Sequence, residues 1–216
     1  MGGQLLRAVL FWVSRRAGGA FGEGSLAARA SGGCVCGSVG AVGRRAAVFC
    51  AAVLMAGRAL AACELALALA VGVSGSVDAR EYSIQMRGLA AGLRDGVVAE
   101  ALVKAQAQLA LVQWTGTSRQ AMVIGWRQMR TFQDVEDFAD QVAATPRAWR
   151  NYSTAIGEAL RYTLAQVAAA PDCERYVIDV SGDGSSNEGV EPRLVQAALR
   201  AAGVTVNALV IEGAEE

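Results

Sequence analysis

The chain has 216 residues, 53% of them hydrophobic and 19% charged, enough for one ordinary domain with an appendage and unlike a disordered or collagen-like chain. Its formal charge of zero divides unevenly: residues 1 to 62 carry seven Arg and one acid, whereas residues 63 to 216 carry 13 Lys or Arg and 19 acids. The absence of histidine removes Ser-His-Asp and Cys-His catalysis and His-ligated zinc, and the acidic C-terminal part speaks against a nucleic-acid partner, which needs a positive field.

The first 43 residues hold 11 of the 25 glycines with no sustained period, and no fold is predicted there. Arg44-Arg45, an apolar run from Ala46 to Ala56, and Ala59-Leu60-Ala61 follow in the order of a secretory signal peptide. Eleven apolar residues interrupted by Gly57-Arg58 fall short of a bilayer span, so no transmembrane segment is expected once the signal is removed. The predicted division is an unstructured extension and signal peptide over 1–62 and one folded domain over 63–216, exported to a periplasm or secreted. Cleavage near Ala61 leaves only Cys63 and Cys173, an even pair that suggests a disulfide in an exported chain. Lipidation at Cys63, after Leu60-Ala61-Ala62, is the competing reading.

From Leu65 the pattern becomes regular. Leu65 to Val73 is a continuous apolar run ending in glycine and serine, as expected of a parallel strand covered on both faces. Asp78 to Glu81 has capping-box spacing, and Tyr82, Met86, Leu89 and Leu93 recur on one face of a helical region extending to Lys104. Leu109 to Trp114 is a second strand, and Thr115-Gly116-Thr117-Ser118 turns it into Ala121 to Trp126, a hairpin partner expected at an edge. Two helices follow, one carrying Phe132, Val135, Phe138, Ala139 and Val142, the other Ile156, Leu160, Leu164 and Val167. Tyr176 to Val180 is another buried strand, Leu194, Val195, Ala198 and Leu199 mark a helix, and Val204 to Ile211 is the last strand. The alternation predicts an α/β fold: a doubly wound, mostly parallel sheet with helices on both faces.

In such a sheet the loops beyond the carboxyl ends of the strands meet at a topological switch point. Three polar clusters fall there: Ser74-Gly75-Ser76 with Asp78, Tyr152-Ser153-Thr154, and Ser181-Gly182-Asp183-Gly184-Ser185-Ser186-Asn187. Hydroxyls with a carboxylate suit a hard divalent cation such as Mg2+. Plainer roles compete: loop and cap bonds for Ser74 and Ser76, an N-cap at Thr154, the capping box at Asp78, and a structural carboxylate at Asp179. Gly72-Val73-Ser74-Gly75-Ser76 also fits a nucleophile elbow, but with no histidine, and with the only lysine at Lys104, Ser74 has no base. The loop with Gly182 and Gly184 has Asn187 where a dinucleotide motif needs glycine, and Asp183 would repel a pyrophosphate. No enzymatic reaction is expected.

Taken in order, the clusters resemble the von Willebrand factor type A domain with its metal-ion-dependent adhesion site. More narrowly, they resemble a group of exported bacterial proteins of that fold, through Ser74-Gly75-Ser76-Val77-Asp78-Ala79-Arg80-Glu81-Tyr82, Thr154-Ala155-Ile156-Gly157 and Val177-Ile178-Asp179-Val180-Ser181-Gly182-Asp183-Gly184. The resemblance implies strand order 3-2-1-4-5 and a Mg2+ held by Ser74, Ser76 and Thr154, with Asp183 acting through water. It also implies a protein partner whose acidic group completes the coordination. Gly72 stands where the family has its first Asp, a loss on the order of a few kcal/mol of compensating charge interaction. A degenerate, metal-free interaction or structural module is therefore the alternative. The family pattern continues with a further strand and a closing helix, for which no residues follow here, so an open sheet edge is expected. Carried over, the strand order also sets Cys63 and Cys173 level at the bottom of adjacent strands, in favour of a bridge. Arg147 to Tyr152 should rim the site with residue types common at contact hot spots.

Overall fold

A computed structural model describes residues 63–150, 152–182 and 185–210; the extension, the signal segment and Asp183 lie outside the described residues. Five strands, β1 Ala66–Gly72, β2 Gln108–Trp114, β3 Gln120–Gln128, β4 Tyr176–Gly182 and β5 Val204–Val210, form one sheet in the order β3-β2-β1-β4-β5. Every pairing is parallel except β2 with β3, the expected edge hairpin. The helices are α1 Ala79–Leu93, α2 Gly96–Lys104, α3 Phe132–Ala144, α4 Ile156–Ala168 and α5 Pro192–Ala201. The α/β, doubly wound architecture is the one expected from the pattern.

The central strand explains its own position. Leu65, Leu67, Leu69, Val71 and Val73 join a core with Met86, Leu89 and Leu93 of α1, Val98 and Leu102 of α2, and Phe138 and Val142 of α3. Ala68 and Ala70 face the other way, into a core with Ile178, Val180, Leu160 and Val167 of α4, and Val195 and Leu199 of α5. Large side chains thus go to one face and methyl groups to the other, and burial of each Leu contributes about 2 kcal/mol. Because both faces are covered, no polar residue interrupts the run.

The helical region ending at Lys104 is two helices rather than one. Asp95 stops it locally: its Oδ1 accepts from the amides of Val97 at 3.0 Å and Val98 at 3.3 Å and so starts α2. Arg94, at the break, reaches Glu136 of α3 at 2.6 Å and also pairs with Asp140. Apolar periodicity continues on both sides of the break, so spacing alone does not mark it.

At the amino ends of the strands Cys63 and Cys173 form a disulfide, with Cα atoms 4.7 Å apart and a sequence separation of 110. Ala66 pairs with Tyr176, so each cysteine precedes its partnered strand position by the same distance. Mid-strand, Asp179 lies between Leu69 and Asn207 in register and accepts from Asn207 Nδ2 at 2.6 Å. Burial pushes its carboxyl above the ordinary aspartate range. It is a structural carboxylate within the sheet.

Candidate functional site

The candidate site lies at the opposite end of the sheet from the disulfide. Beyond Gly72 the chain turns through residues 73–77 into α1, where Asp78 and Glu81 form a reciprocal capping box, with amide bonds of 2.7 and 2.8 Å. Asp78 is thereby committed to the helix start. Ser74 is buried, and its hydroxyl oxygen lies 3.1 Å from that of Ser76. The Gly75 amide donates to Tyr152 O at 2.7 Å, which places the turn against the loop that carries Thr154. From the same loop Arg147 Nη2 donates to Val73 O at 3.1 Å and Ser74 O at 2.7 Å. Its Nε is buried without a hydrogen-bond partner among the described residues.

The loops at 115–119, 153–155 and 185–190 are laced together as well. Thr154 N donates to Asn187 Oδ1 and Asn187 N to Thr154 O, both at 2.9 Å. Thr154 is not the cap of α4; Ala155 holds that position without a side-chain cap of its own. Instead, Ser186 Oγ accepts from Ile156 N at 3.3 Å, capping the helix from a different loop. Thr115 Oγ1 donates to Ser153 O at 2.9 Å. Glu188 accepts from the hydroxyls of Ser153 and, at 3.2 Å, Thr117. The Ser153 bond is the main reason that its carboxyl is held below the ordinary glutamate range. Arg119 lies over the partly exposed Tyr152 ring, 3.7 Å from its centroid, a cation–π contact at the rim. Ser181, first of its cluster, is withdrawn from the crest: its hydroxyl accepts from Gln85 of α1 at 3.1 Å.

The ligand set implied by resemblance is thus partly visible. Ser74 and Ser76 have their hydroxyls together, and Thr154 is buried in the neighbouring loop; Asp183 lies outside the described residues. Gly72 departs further than the loss of a carboxylate. A Cβ there would stand 2.9 Å from Ser181 O, 3.1 Å from Trp114 Cζ2 and 3.3 Å from Gly182 Cα. Trp114 is fully buried, and its Nε1 donates to Ala70 O at 3.1 Å, so the ring cannot easily move aside. Among the described residues no group of three or more His, Cys, Asp or Glu could hold a metal ion. By themselves, the described hydroxyls of Ser74 and Ser76, beside the Arg147 guanidinium and with glycine at 72, are too few hard donors to hold a divalent cation. Arg119 and Glu188 carry no signal in the sequence, and Ser186 stands there only as one member of a polar cluster, since their partners lie 30 or more residues away.

Among solved structures the fold is similar to proximal thread matrix protein 1 from the mussel byssus. One crystal form matches with a TM-score of 0.51 and 20% identity, over 68% of this chain and 38% of that one. A structure of the same protein with a zinc-occupied MIDAS motif matches with a TM-score of 0.50 and 19% identity, over 68% and 38%. BatB from Bacteroides thetaiotaomicron matches more loosely, with a TM-score of 0.45 and 18% identity, over 68% and 66%. The chain therefore spans less than two fifths of the mussel protein's length. No curated protein matches it. A family model described as "Protein of unknown function (DUF1194)" matches residues 62–216. Together with the strand order and the family match, the likeness to the mussel protein makes the fold that of a von Willebrand factor type A domain.

Proposed function

The chain belongs to the DUF1194 family, and from that premise we propose that it is an exported, periplasmic or secreted protein-binding domain whose contact surface is the crest of loops 74–76, 115–119, 147–154 and 185–190. No reaction is part of this reading. The observation that carries it is the Arg119–Tyr152 stack, standing at the rim of loops already cross-linked by hydrogen bonds. A surface ordered before binding loses little conformational entropy on contact, and Arg and Tyr are the residue types that anchor interfaces. The disulfide supports an oxidising compartment. No helix among the described residues is long and apolar enough to cross a membrane. The test is photo-crosslinking in the producing cell: a reactive side chain at Tyr152 should give discrete protein adducts that the same group at Leu194, on α5, does not. Equal or absent adducts at both positions would sink the proposal.

The narrower form, in which Ser74, Ser76 and Thr154 hold Mg2+, Asp183 supports it through water and a partner's acidic group completes the coordination, is a second reading. The observation in its favour is the 3.1 Å approach of the two serine hydroxyls. A Mg2+ site of that kind must show as saturable heat on titration, abolished by Ser74→Ala. The metal-free module is the form better supported by the environment of Gly72 and Arg147.

A further inference from the structure

We infer that Arg147 does in this chain the ordering work of a cation at the turn after β1, so that the crest keeps its shape without metal. The inference deepens the metal-free reading and rests on it. A bound cation orders a loop by gathering oxygens from separate segments around one positive centre. Here the positive centre is a side chain of the 145–155 loop, and the oxygens are the consecutive carbonyls of Val73, at 3.1 Å, and Ser74, at 2.7 Å. The Gly75 amide closes the junction from the other side by donating to Tyr152 O at 2.7 Å.

Arg147 is itself held in place from both flanks. Gln113 of β2 donates to Pro146 O at 3.0 Å and accepts from Ala148 N at 2.8 Å, straddling the arginine. Tyr82 of α1 donates to Thr145 O at 2.8 Å and receives Gln113 Nε2 at 2.8 Å. The guanidinium thus stands on a scaffold of two secondary-structure elements, with several donors fixed in one plane. Its charge has no dependence on the ionic composition of the medium.

The same geometry disfavours a dication. The guanidinium bonds the carbonyl of the residue whose hydroxyl would be a ligand, so an arriving ion meets a fixed like charge. The carboxylate that could offset this is missing at Gly72, where a Cβ would stand 2.9 Å from Ser181 O. Loss of the anion and presence of the internal cation act in one direction.

The test is calorimetric melting and amide hydrogen exchange of the full chain, native and as Arg147→Gln and Arg147→Lys, each in EDTA and in millimolar Mg2+ or Mn2+. The native chain should melt at one temperature in all media, with the Gly75 amide equally protected. Arg147→Gln should lower Tm by about 5 °C and speed Gly75 exchange by about tenfold in every medium, since a hydrogen-bonded charge is lost from a part-buried junction. Arg147→Lys, keeping the charge but not the fork, should fall between. If Mg2+ or Mn2+ raises the native Tm or the Gly75 protection above the EDTA level, the metal-free reading itself fails. If the ions do nothing and Arg147→Gln leaves Gly75 as protected as in the native chain, that reading survives and the role of Arg147 is overturned. Should Arg147→Gln not fold, the Lys variant decides, and native-like protection in it overturns the role.

Discussion

The indole of Trp114 occupies the space that a side chain at Gly72 would need, with Cζ2 only 3.1 Å from where the Cβ would stand and backbone of β4 at 2.9 Å on another side. Gly72→Ala should therefore destabilise the domain by about 1–3 kcal/mol, the usual cost of overpacking a buried junction. Gly72→Asp should cost more and give no saturable Mg2+ heat. Urea unfolding and isothermal titration check the two halves. A Gly72→Asp chain as stable as the native one, and binding Mg2+, would show that β4 yields readily.

Cys63 and Cys173 join the starts of β1 and β4 across 110 residues, so reduction releases a long loop in the unfolded chain. Replacing both by Ser should lower stability by about 4 to 5 kcal/mol in the chain-entropy model. Urea midpoints of the native protein with and without reductant should differ by an equivalent amount, and those of the double variant should not differ at all.

Glu188 ties the 185–190 loop to Ser153 and Thr117, and its carboxyl is held low chiefly by the Ser153 hydroxyl. A depressed folded-state pKa means that the contribution is present above the unfolded value, near 4.3, and disappears as pH falls through the lower folded value. The amide resonances of Thr117 and Asn187 should shift together in acid below about pH 4, and Glu188→Gln should remove that transition. Resonances that titrate identically in the variant would assign the transition to another group.

Asp179 carries the opposite sign. Burial raises its pKa, so the fold favours the protonated form, and stability declines as pH rises from the unfolded value through the folded one. Asp179→Asn keeps an oxygen able to accept from Asn207 Nδ2 and removes the buried charge. It should be neutral to stabilising by about 1 kcal/mol at neutral pH, with a flatter dependence as pH rises above the unfolded aspartate value. Loss of stability at neutral pH in urea titrations would mean that the charge has a compensating partner.

Much of the fold was legible because its determinants are local and periodic. Alternating Leu and Ala from Leu65 to Ala70 mark a strand covered on both sides, and Asp78 with Glu81 mark a helix start. The break at Asp95 was not legible, since apolar spacing continues across it. At the crest, the proximity of Ser74 and Ser76 follows from their spacing in sequence, but the cap on α4 does not. It comes from Ser186, 30 residues away, whereas the local sequence offers Thr154 as a cap beside its reading as a ligand.

By itself, then, the sequence determined the element order, the sheet faces and the polar residues gathered at the strand ends, since each depends on neighbours within a turn or a strand. Only the tertiary structure decided what fills the places between them. Trp114 closes the space at Gly72, and Arg147 reaches Val73 across 74 residues of chain, because contacts between distant segments are fixed by packing and leave no periodic trace in the sequence.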